Sequence, residues 1–223
     1  MNNNEFHRVT NVKSETVREK LLDVSEELFC ERGFEGTSVR DLTTAVGCNV
    51  AAVNYHFGGK DKLYVEMFRR QMHRMFQRQR EIIERLEKKA EATLEGLVRE
   101  TIKEPIKAIE KKEKSAAVMK LLVREVLNQH VYKDEIVGDF KNDFFPVYCE
   151  AMRRFCPGLE LEKARLCMFS LDALVIHPIL FYEIYLETIP KIKADEIIGH
   201  IVKFTCAGIR AYCKDKSDDI NKE

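Results

Sequence analysis

The sequence is poor in residues that interrupt helices and contains no tryptophan: its 223 residues include five prolines and ten glycines. This scarcity favours helix over sheet, most clearly in residues 81–114, which are rich in Glu, Lys, Ala and Leu. An excess of charge of either sign is also missing, because 37 basic residues balance 37 acidic ones. A nucleic-acid-binding surface would therefore have to arise from local placement of residues. No apolar run approaches the roughly 20 residues that cross a bilayer, so we expect no membrane partner.

Patterns typical of disulfides, metal sites and catalysis are missing as well. The seven cysteines are an odd number, lie far apart and never form a C-x-x-C pair, which favours reduced thiols and a cytoplasmic location. His200, Cys206 and Cys213 do not share a helical face, so we expect no metal site. No nucleophile–base pair, glycine-rich phosphate loop or paired catalytic carboxylate is recognisable, so we expect neither an enzyme nor a cofactor.

Helical periodicity runs through nearly the whole chain after a polar arm at residues 1–13. A first helix ends at Gly33, a short second helix begins at Ser38, and a third follows Asn49, its predicted N-cap. A long fourth helix begins at Lys60. Further helices are expected near residues 91–112, 115–130, 134–156, 159–187 and 194–213. The predicted fold is all-α with about nine helices, divided into domains at residues 1–62 and 63–223.

The second and third helices have the pattern of a helix-turn-helix. Ser38 and Asp41 fit a capping box at the start of the second helix, and Gly47 occupies the turn. The third helix is expected to turn Val50, Ala52, Asn54, Tyr55 and His56 outward. Such small, amide and hydroxyl side chains are suited to thymine methyls, adenine edges and phosphates in the major groove.

The runs from Gly33 to Leu42 and from Tyr55 to Leu63, with Ala45-Val46-Gly47 between them, resemble the signature of the tetracycline-repressor (TetR/AcrR) family. The segment 49–58 also resembles its CecR-like sub-branch. The resemblance implies an all-helical homodimer with about nine helices per subunit. It also implies that Val50, Ala51 and Ala52 approach bases. The residues expected to contact the DNA backbone are Thr37, Arg40, Asn54, Tyr55, His56 and Lys60, with Ser38 as a further DNA-binding candidate.

The second domain has no comparably specific motif but supplies many methionines and aromatic residues. Such side chains line adaptable cavities as well as ordinary cores, and both interpretations stay open. The candidates for binding a small-molecule effector are Met119, Phe144, Tyr148, Met152, Phe169, His177 and Phe181. His177 precedes Pro178, which is expected to kink its helix, and we favour a buried, hydrogen-bonded position for it over a place in a ligand cavity.

The last two long helices are the predicted dimer interface, because two-fold symmetry doubles the DNA site that one recognition helix reads. The candidates on the first of these helices are Phe169, Ala173, Ile176 and Leu180. Those on the last helix are Ile197, Ile201, Thr205, Gly208 and Tyr212. The alternative is that both stripes pack inside one subunit.

The sequence thus predicts a ligand-responsive transcriptional repressor that binds a palindromic operator in double-stranded DNA as a homodimer. The alternative is a DNA-binding or DNA-organising module without small-molecule control.

Overall fold

The structure is a computed structural model that describes residues 16–127, 134–135, 138, 142 and 144–219, with side chains described as far as Cys213. This part of the chain contains nine helices and no strand, in agreement with the predicted all-α class. The chain divides into two compact units, Met1–Leu63 and Tyr64–Glu223. The predicted polar arm at residues 1–13 lies outside the described residues.

Three short helices form the first unit: α1 (Val17–Arg32), α2 (Val39–Val46) and α3 (Ala51–Phe57). A fourth helix, α4 (Lys60–Glu87), begins in this unit and continues into the second. Leu21, Phe29, Leu42 and Val53 are fully buried and form the apolar centre of the first unit. Each comes from the inward stripe of an amphipathic helix, so helical periodicity alone determines which side chains face inward.

Side-chain caps determine where α1 and α2 begin. Thr16 and Glu19 form a capping box at α1, and Ser38 and Asp41 form the predicted one at α2. In each box the hydroxyl accepts a hydrogen bond from the backbone N–H three residues on, and the carboxylate accepts one from the N-cap N–H. Two backbone donors at each helix start are thereby satisfied.

The second unit contains the rest of α4 and five further helices. They are α5 (Leu94–Glu110), α6 (Lys114–Leu127), α7 (Phe145–Phe155), α8 (Leu161–Thr188) and α9 (Ala194–Asp219). The apolar core of this unit contains side chains from all six helices, including Phe76, Ile102, Ala116, Tyr148 and Leu171, together with Ile201. Two ion pairs, Glu95–Arg210 and Lys107–Asp195, join opposite ends of α5 and α9 and establish that these helices are antiparallel.

Helix boundaries differ from the predictions by a few residues where local capping intervenes. Helix α5 begins at Leu94 rather than 91, because the Thr93 hydroxyl accepts the Gly96 N–H and ends the preceding loop. Helix α9 continues to Asp219 beyond the predicted end at 213. Residues 128–133 and several positions of the predicted helix 134–156 lie outside the described part of the chain.

Pro178 lies inside α8, and α8 departs from helical geometry after the proline rather than in the preceding turn, which its ring would crowd. The break appears at Phe181, whose φ of −120° and ψ of 27° are not helical. In length and composition α8 would also be able to cross a membrane, with a mean hydropathy of 1.6 over 18 residues. Every such window of α8 contains Asp172 and His177, so the segment is not an uninterrupted apolar run. Core helices of soluble proteins share these properties, so one such helix is weak evidence for a membrane span.

Candidate nucleic-acid interface

The turn between α2 and α3 is compact because Gly47 adopts a left-handed conformation, with φ of 73° and ψ of 34°. The Cys48 N–H returns to the carbonyl oxygen of Thr43 at 3.0 Å, which closes the end of α2. Helix α3 begins at Ala51 with Val50 in the N-cap position, one residue later than predicted. Asn49 still contributes to the cap, because its side-chain oxygen accepts the Ala51 N–H at 2.8 Å.

One side of α3 is open to solvent. Tyr55 is 84% exposed, Val50 is 49% exposed, and Ala51 and Asn54 are also exposed. Val53 lies on the opposite side and is completely buried, which fixes the rotation of α3 about its axis. Ala52 and His56 are half-buried at the flank of the open side. The His56 ring contacts the Tyr55 ring edge-on, with 4.9 Å between ring centroids.

The open side of α3 presents no negative charge. No acidic residue occurs between Asp41 and Asp61, although residues 1–62 contain ten acidic and eight basic residues. The acidic residues of the first unit therefore lie outside the turn and α3. A phosphate backbone would meet hydroxyl, amide and imidazole groups on this surface rather than carboxylates.

In the capping box of α2, the Ser38 hydroxyl and the Asp41 carboxylate are hydrogen-bonded to each other and to the backbone. The Ser38 hydroxyl donates to Asp41 Oδ2 at 2.6 Å and accepts the Asp41 N–H at 3.1 Å. These bonds lower the pKa of the Asp41 carboxyl below its usual range, the Ser38 hydroxyl having the larger effect. Arg40 is exposed next to this cap. Of these two candidates, Arg40 has its side chain free to extend toward a partner, whereas the side chain of Ser38 is engaged in capping.

Thr37 and Lys60, which were predicted to contact the DNA backbone, form hydrogen bonds within the first unit. Thr37 is completely buried, and its hydroxyl lies 2.9 Å from the carbonyl oxygen of Gly33 and 3.2 Å from that of Leu28. The Lys60 ammonium donates to the carbonyl oxygens of Phe34 and Thr37 at 2.9 and 3.0 Å. It also lies 4.0 Å from the centre of the Phe34 ring, a cation–π contact. Both side chains hold the loop between α1 and α2, and contact of either residue with the DNA backbone stays a prediction.

Residues 21–67 match a family model described as bacterial regulatory proteins of the tetR family. The matched region contains most of α1, all of α2 and α3, and the start of α4. The matched N-terminal region is therefore similar to the regulatory proteins of the TetR family. The narrower CecR-like assignment stays a prediction.

Curated transcriptional repressors are similar to the N-terminal part of this chain. The transcriptional repressor KstR2 of Rhodococcus jostii (strain RHA1) is 38% identical over 82 residues, which cover 36% of this chain and 39% of that protein. The repressor AcnR of Corynebacterium efficiens is 38% identical over 58 residues, or 26% of this chain and 31% of that protein. The chain therefore spans less than half the length of these curated relatives in the matched regions.

Solved structures of regulators share the whole fold at low sequence identity. The fatty acid degradation regulator FadR from Bacillus halodurans aligns with a TM-score of 0.64 at 14% identity, covering 89% of this chain and 98% of that one. A transcriptional regulator from Rhodococcus sp. Rha1 aligns with a TM-score of 0.63 at 17% identity, covering 87% and 96%. These similarities show that the second unit, as well as the first, shares the fold of these regulators.

The predicted effector-binding residues of the second unit separate into two groups. Phe144, Tyr148 and Met152 are buried in the core of the second unit, and Met119 packs at its edge. The Phe144 ring stacks on Phe76 at 5.0 Å and lies 5.6 Å from the Tyr148 ring. Residues of this group therefore face one interior.

Phe169, His177 and Phe181 are exposed on α8 and do not join that interior. The preference for a buried His177 is wrong. Its imidazole Nδ1 lies 3.1 Å from the Tyr185 hydroxyl, and its ring packs 4.9 Å from that of Phe181. The kink at Phe181 allows these aromatic groups to gather on the solvent side of the helix.

The predicted dimer stripe on α9 mixes two faces. Ile197, Ile201 and Thr205 are buried in the core of the second unit, so they are corrected to core positions. Gly208 and Tyr212 are exposed, as are Phe169 and Ala173 on α8, whereas Ile176 and Leu180 are half-buried. The Lys163 ammonium lies 5.2 Å from the centre of the Tyr212 ring, so the start of α8 is next to the end of α9.

The outer face of α8 and α9 is defined here by Leu166, Phe169, Ala173, His177, Phe204 and Gly208. The dimer-interface prediction included Phe169, Ala173 and Gly208 but missed the other three residues. All six residues are exposed, and Phe204 is 62% exposed. They recur at spacings of three or four along each helix, which is the signal that would have found them. Both sides of α9 contain apolar residues, so periodicity did not distinguish the core side from the outer one.

Proposed function

We propose that this TetR-family chain is a cytoplasmic transcriptional repressor that binds double-stranded DNA through α3. The observation that carries the proposal is the open side of α3, where Val50, Ala51, Asn54 and Tyr55 are exposed in a segment without acidic residues. Val50, Ala51 and Ala52 have the size to approach base edges, and Tyr55 and His56 have donors for phosphate oxygens. Arg40 on α2 adds a positive charge beside this surface.

The repressor acts as a homodimer on a palindromic operator. Two-fold symmetry presents two recognition helices to successive major grooves, roughly 34 Å apart. The outer face of α8 and α9 supports a contact between two second units, because large apolar side chains such as Phe169 and Phe204 are exposed there. A like face from a second copy would cover them.

An effector in the second unit would control the repressor by shifting the population between a DNA-binding conformation and another one. Its effect is limited by the difference in its affinity for the two conformations. The buried group that contains Phe144, Tyr148 and Met152 supports a site in the interior of this unit. In keeping with the curated relatives, which are repressors by name, we assign no catalytic activity to the chain.

Selection of duplexes from a random pool by the purified full-length protein tests this function. We expect a palindromic consensus, and we expect Tyr55→Ala to weaken binding to all duplexes at least tenfold and to lower the salt dependence by about one phosphate contact. Val50→Thr should change the preferred sequence instead. Glu35→Ala, an exposed change in the first unit outside α3, is the control and should bind like wild type.

Two results would contradict the proposal. Equal affinity of wild type and the Tyr55→Ala variant would remove α3 from the interface. Binding without a consensus would favour a DNA-organising module over a repressor of particular operators.

A further inference from the structure

Three polar atoms lie in the core of the second unit without a hydrogen-bond partner: Gln79 Oε1, Tyr148 Oη and Thr205 Oγ1. Tyr148 is completely buried, and Gln79 and Thr205 are each only 7% exposed. Buried polar groups in folded proteins are nearly always paired, because an unpaired one loses its bonds to water without replacement. Three such atoms in one core indicate that something else supplies their partners.

Their contacts bring these side chains to one region, around Thr101 of α5. Gln79 Nε2 donates to the Thr101 carbonyl oxygen at 2.9 Å, which leaves Gln79 Oε1 as an open acceptor. Burial raises the pKa of Tyr148, and a hydrogen-bonding contact with the Thr101 side chain lowers it in part, so these two side chains are neighbours. The Thr101 hydroxyl already donates to the Leu97 carbonyl oxygen at 2.7 Å. It can therefore only accept from Tyr148, and the Tyr148 oxygen keeps an open acceptor position.

The register of α5 and α9 brings Thr205 to the same level. Glu95 pairs with Arg210 and Lys107 pairs with Asp195, so Thr101, midway between 95 and 107, lies opposite the middle of that α9 segment. Thr205 is within about one helical turn of that point and faces the core. We call Gln79, Thr101, Tyr148 and Thr205 the core polar cluster.

The surroundings of the core polar cluster are apolar. Ile102 follows Thr101 in the core, Met152 lies one turn after Tyr148, and the Phe144 ring is 5.6 Å from the Tyr148 ring. A molecule that fits here presents a mostly apolar body and one polar group. Hydrophobic walls with a few convergent polar atoms are typical of sites for small molecules.

The donor and acceptor atoms of the core polar cluster determine which polar head group a bound molecule can have. Gln79 Oε1 accepts hydrogen bonds only, and the hydroxyls of Tyr148 and Thr205 accept as well as donate. Among the described residues of the second unit, no lysine, arginine or histidine is buried as a whole. Arg70, whose Nε is buried, lies about two and a half turns before Gln79 on the other side of α4, so an anionic group at the cluster would have no countercharge. Asp172 on α8 lies near Tyr148 and adds a carboxyl acceptor, whose pKa burial raises to about 6.

We infer that the core polar cluster binds the head of an amphiphilic effector, and that this head is a neutral or cationic hydrogen-bond donor such as a hydroxyl or an amine. The inference rests on the proposed function, since it names the effector class of the proposed repressor. It excludes carboxylates and phosphates as the buried head group, because their charge would be unpaired in this core.

Three probes of equal chain length test the inference on the full-length protein: octan-1-ol, octylamine and octanoate. Isothermal titration calorimetry should show octan-1-ol or octylamine binding at least tenfold more tightly than octanoate. Tyr148→Phe and Thr205→Val each remove one hydroxyl with little change of shape, and each should weaken the preferred probe about fivefold or more. Ser115→Ala, an exposed change on α6, is the control and should bind like wild type.

The variants also report on folding without ligand. Removing an unpaired hydroxyl should leave the melting temperature equal or higher, so weaker binding cannot be attributed to unfolding. Octanoate binding as tightly as octan-1-ol, unchanged affinity in both variants, or no binding of any probe would each overturn the inference. Binding of the ligand-free protein to its selected duplex is measured separately. If the protein binds DNA but none of the probes, only the effector class is refuted. If it binds a probe as expected but not DNA, only the proposed function is refuted.

Discussion

The ammonium group of Lys60 donates a 3.0 Å hydrogen bond to the backbone carbonyl of Thr37, which ties the first residue of α4 to the residue before the α2 cap. A second bond at 2.9 Å reaches the Phe34 carbonyl. The loop between α1 and α2 is thus held by a residue that follows α3 in the sequence. The position of the start of α2 therefore depends on a lysine 23 residues further along the chain.

Replacing Lys60 by methionine should destabilise the first unit by about 2 kcal/mol, because two carbonyl groups lose a charged donor while the aliphatic stem is kept. Thermal unfolding followed by circular dichroism measures the change. Lys62→Met, at an exposed position two residues away, is the matched control and should unfold like wild type. DNA affinity lost without any loss of stability would mean that Lys60 acts on DNA directly, as the sequence had suggested.

Replacing Ser38 by alanine should cost about 1 kcal/mol of unfolding free energy, since the Asp41 N–H loses its acceptor at the start of α2. Chemical denaturation monitored at several wavelengths gives this value. Ser38→Asp retains a capping oxygen and should recover part of the loss. Equal stability of all three proteins would show that the capping box contributes nothing to this unit.

The outer face of α8 and α9 should be the contact between subunits. Gly208 is exposed, and an added Cβ would meet nothing within 4 Å inside the protomer. Gly208→Leu and Phe204→Glu should therefore leave helix content unchanged while raising the dimer dissociation constant at least tenfold, as measured by analytical ultracentrifugation.

Glu187→Gln, a change at an exposed position near the end of α8, serves as the control for dimerisation. A tight dimer in both the Gly208→Leu and Phe204→Glu variants would place the interface elsewhere. Ile201→Ala should behave differently, since Ile201 is a core residue: it should lower the melting temperature rather than split the dimer selectively.

Asp172 should make the protein less stable as the pH rises. Burial raises the pKa of its carboxyl from 3.8 to about 6, so the folded state binds more protons than the unfolded state between these values. The unfolding free energy therefore falls between about pH 4 and pH 6 and then levels off, by at most about 3 kcal/mol. Asp172→Asn should be more stable than wild type at pH 7 and equal to it near pH 3.5. A variant less stable than wild type at pH 7 would show that the carboxylate has a favourable partner.

The sequence by itself determined the helical class, the helix-turn-helix and the α2 capping box, because these depend on local rules. Apolar residues at helical spacing, a glycine in the turn and a serine with an aspartate three residues on act within one or two turns of helix. For the same reason most of the side chains predicted to face outward on α3 are exposed: Val53 points inward, and Tyr55 and Asn54 then point outward. Ala52 and His56 lie at the edge of this side and are half-buried.

Only the tertiary structure decided the roles of residues whose partners are distant in the sequence. Lys60 has the composition of a phosphate-binding residue, but carbonyls 26 and 23 positions earlier engage its ammonium. Thr205 and Phe204 are adjacent on α9, yet one faces the core and the other faces solvent. Both sides of that helix contain apolar residues, so its rotation was fixed by packing against α5 rather than by its own periodicity.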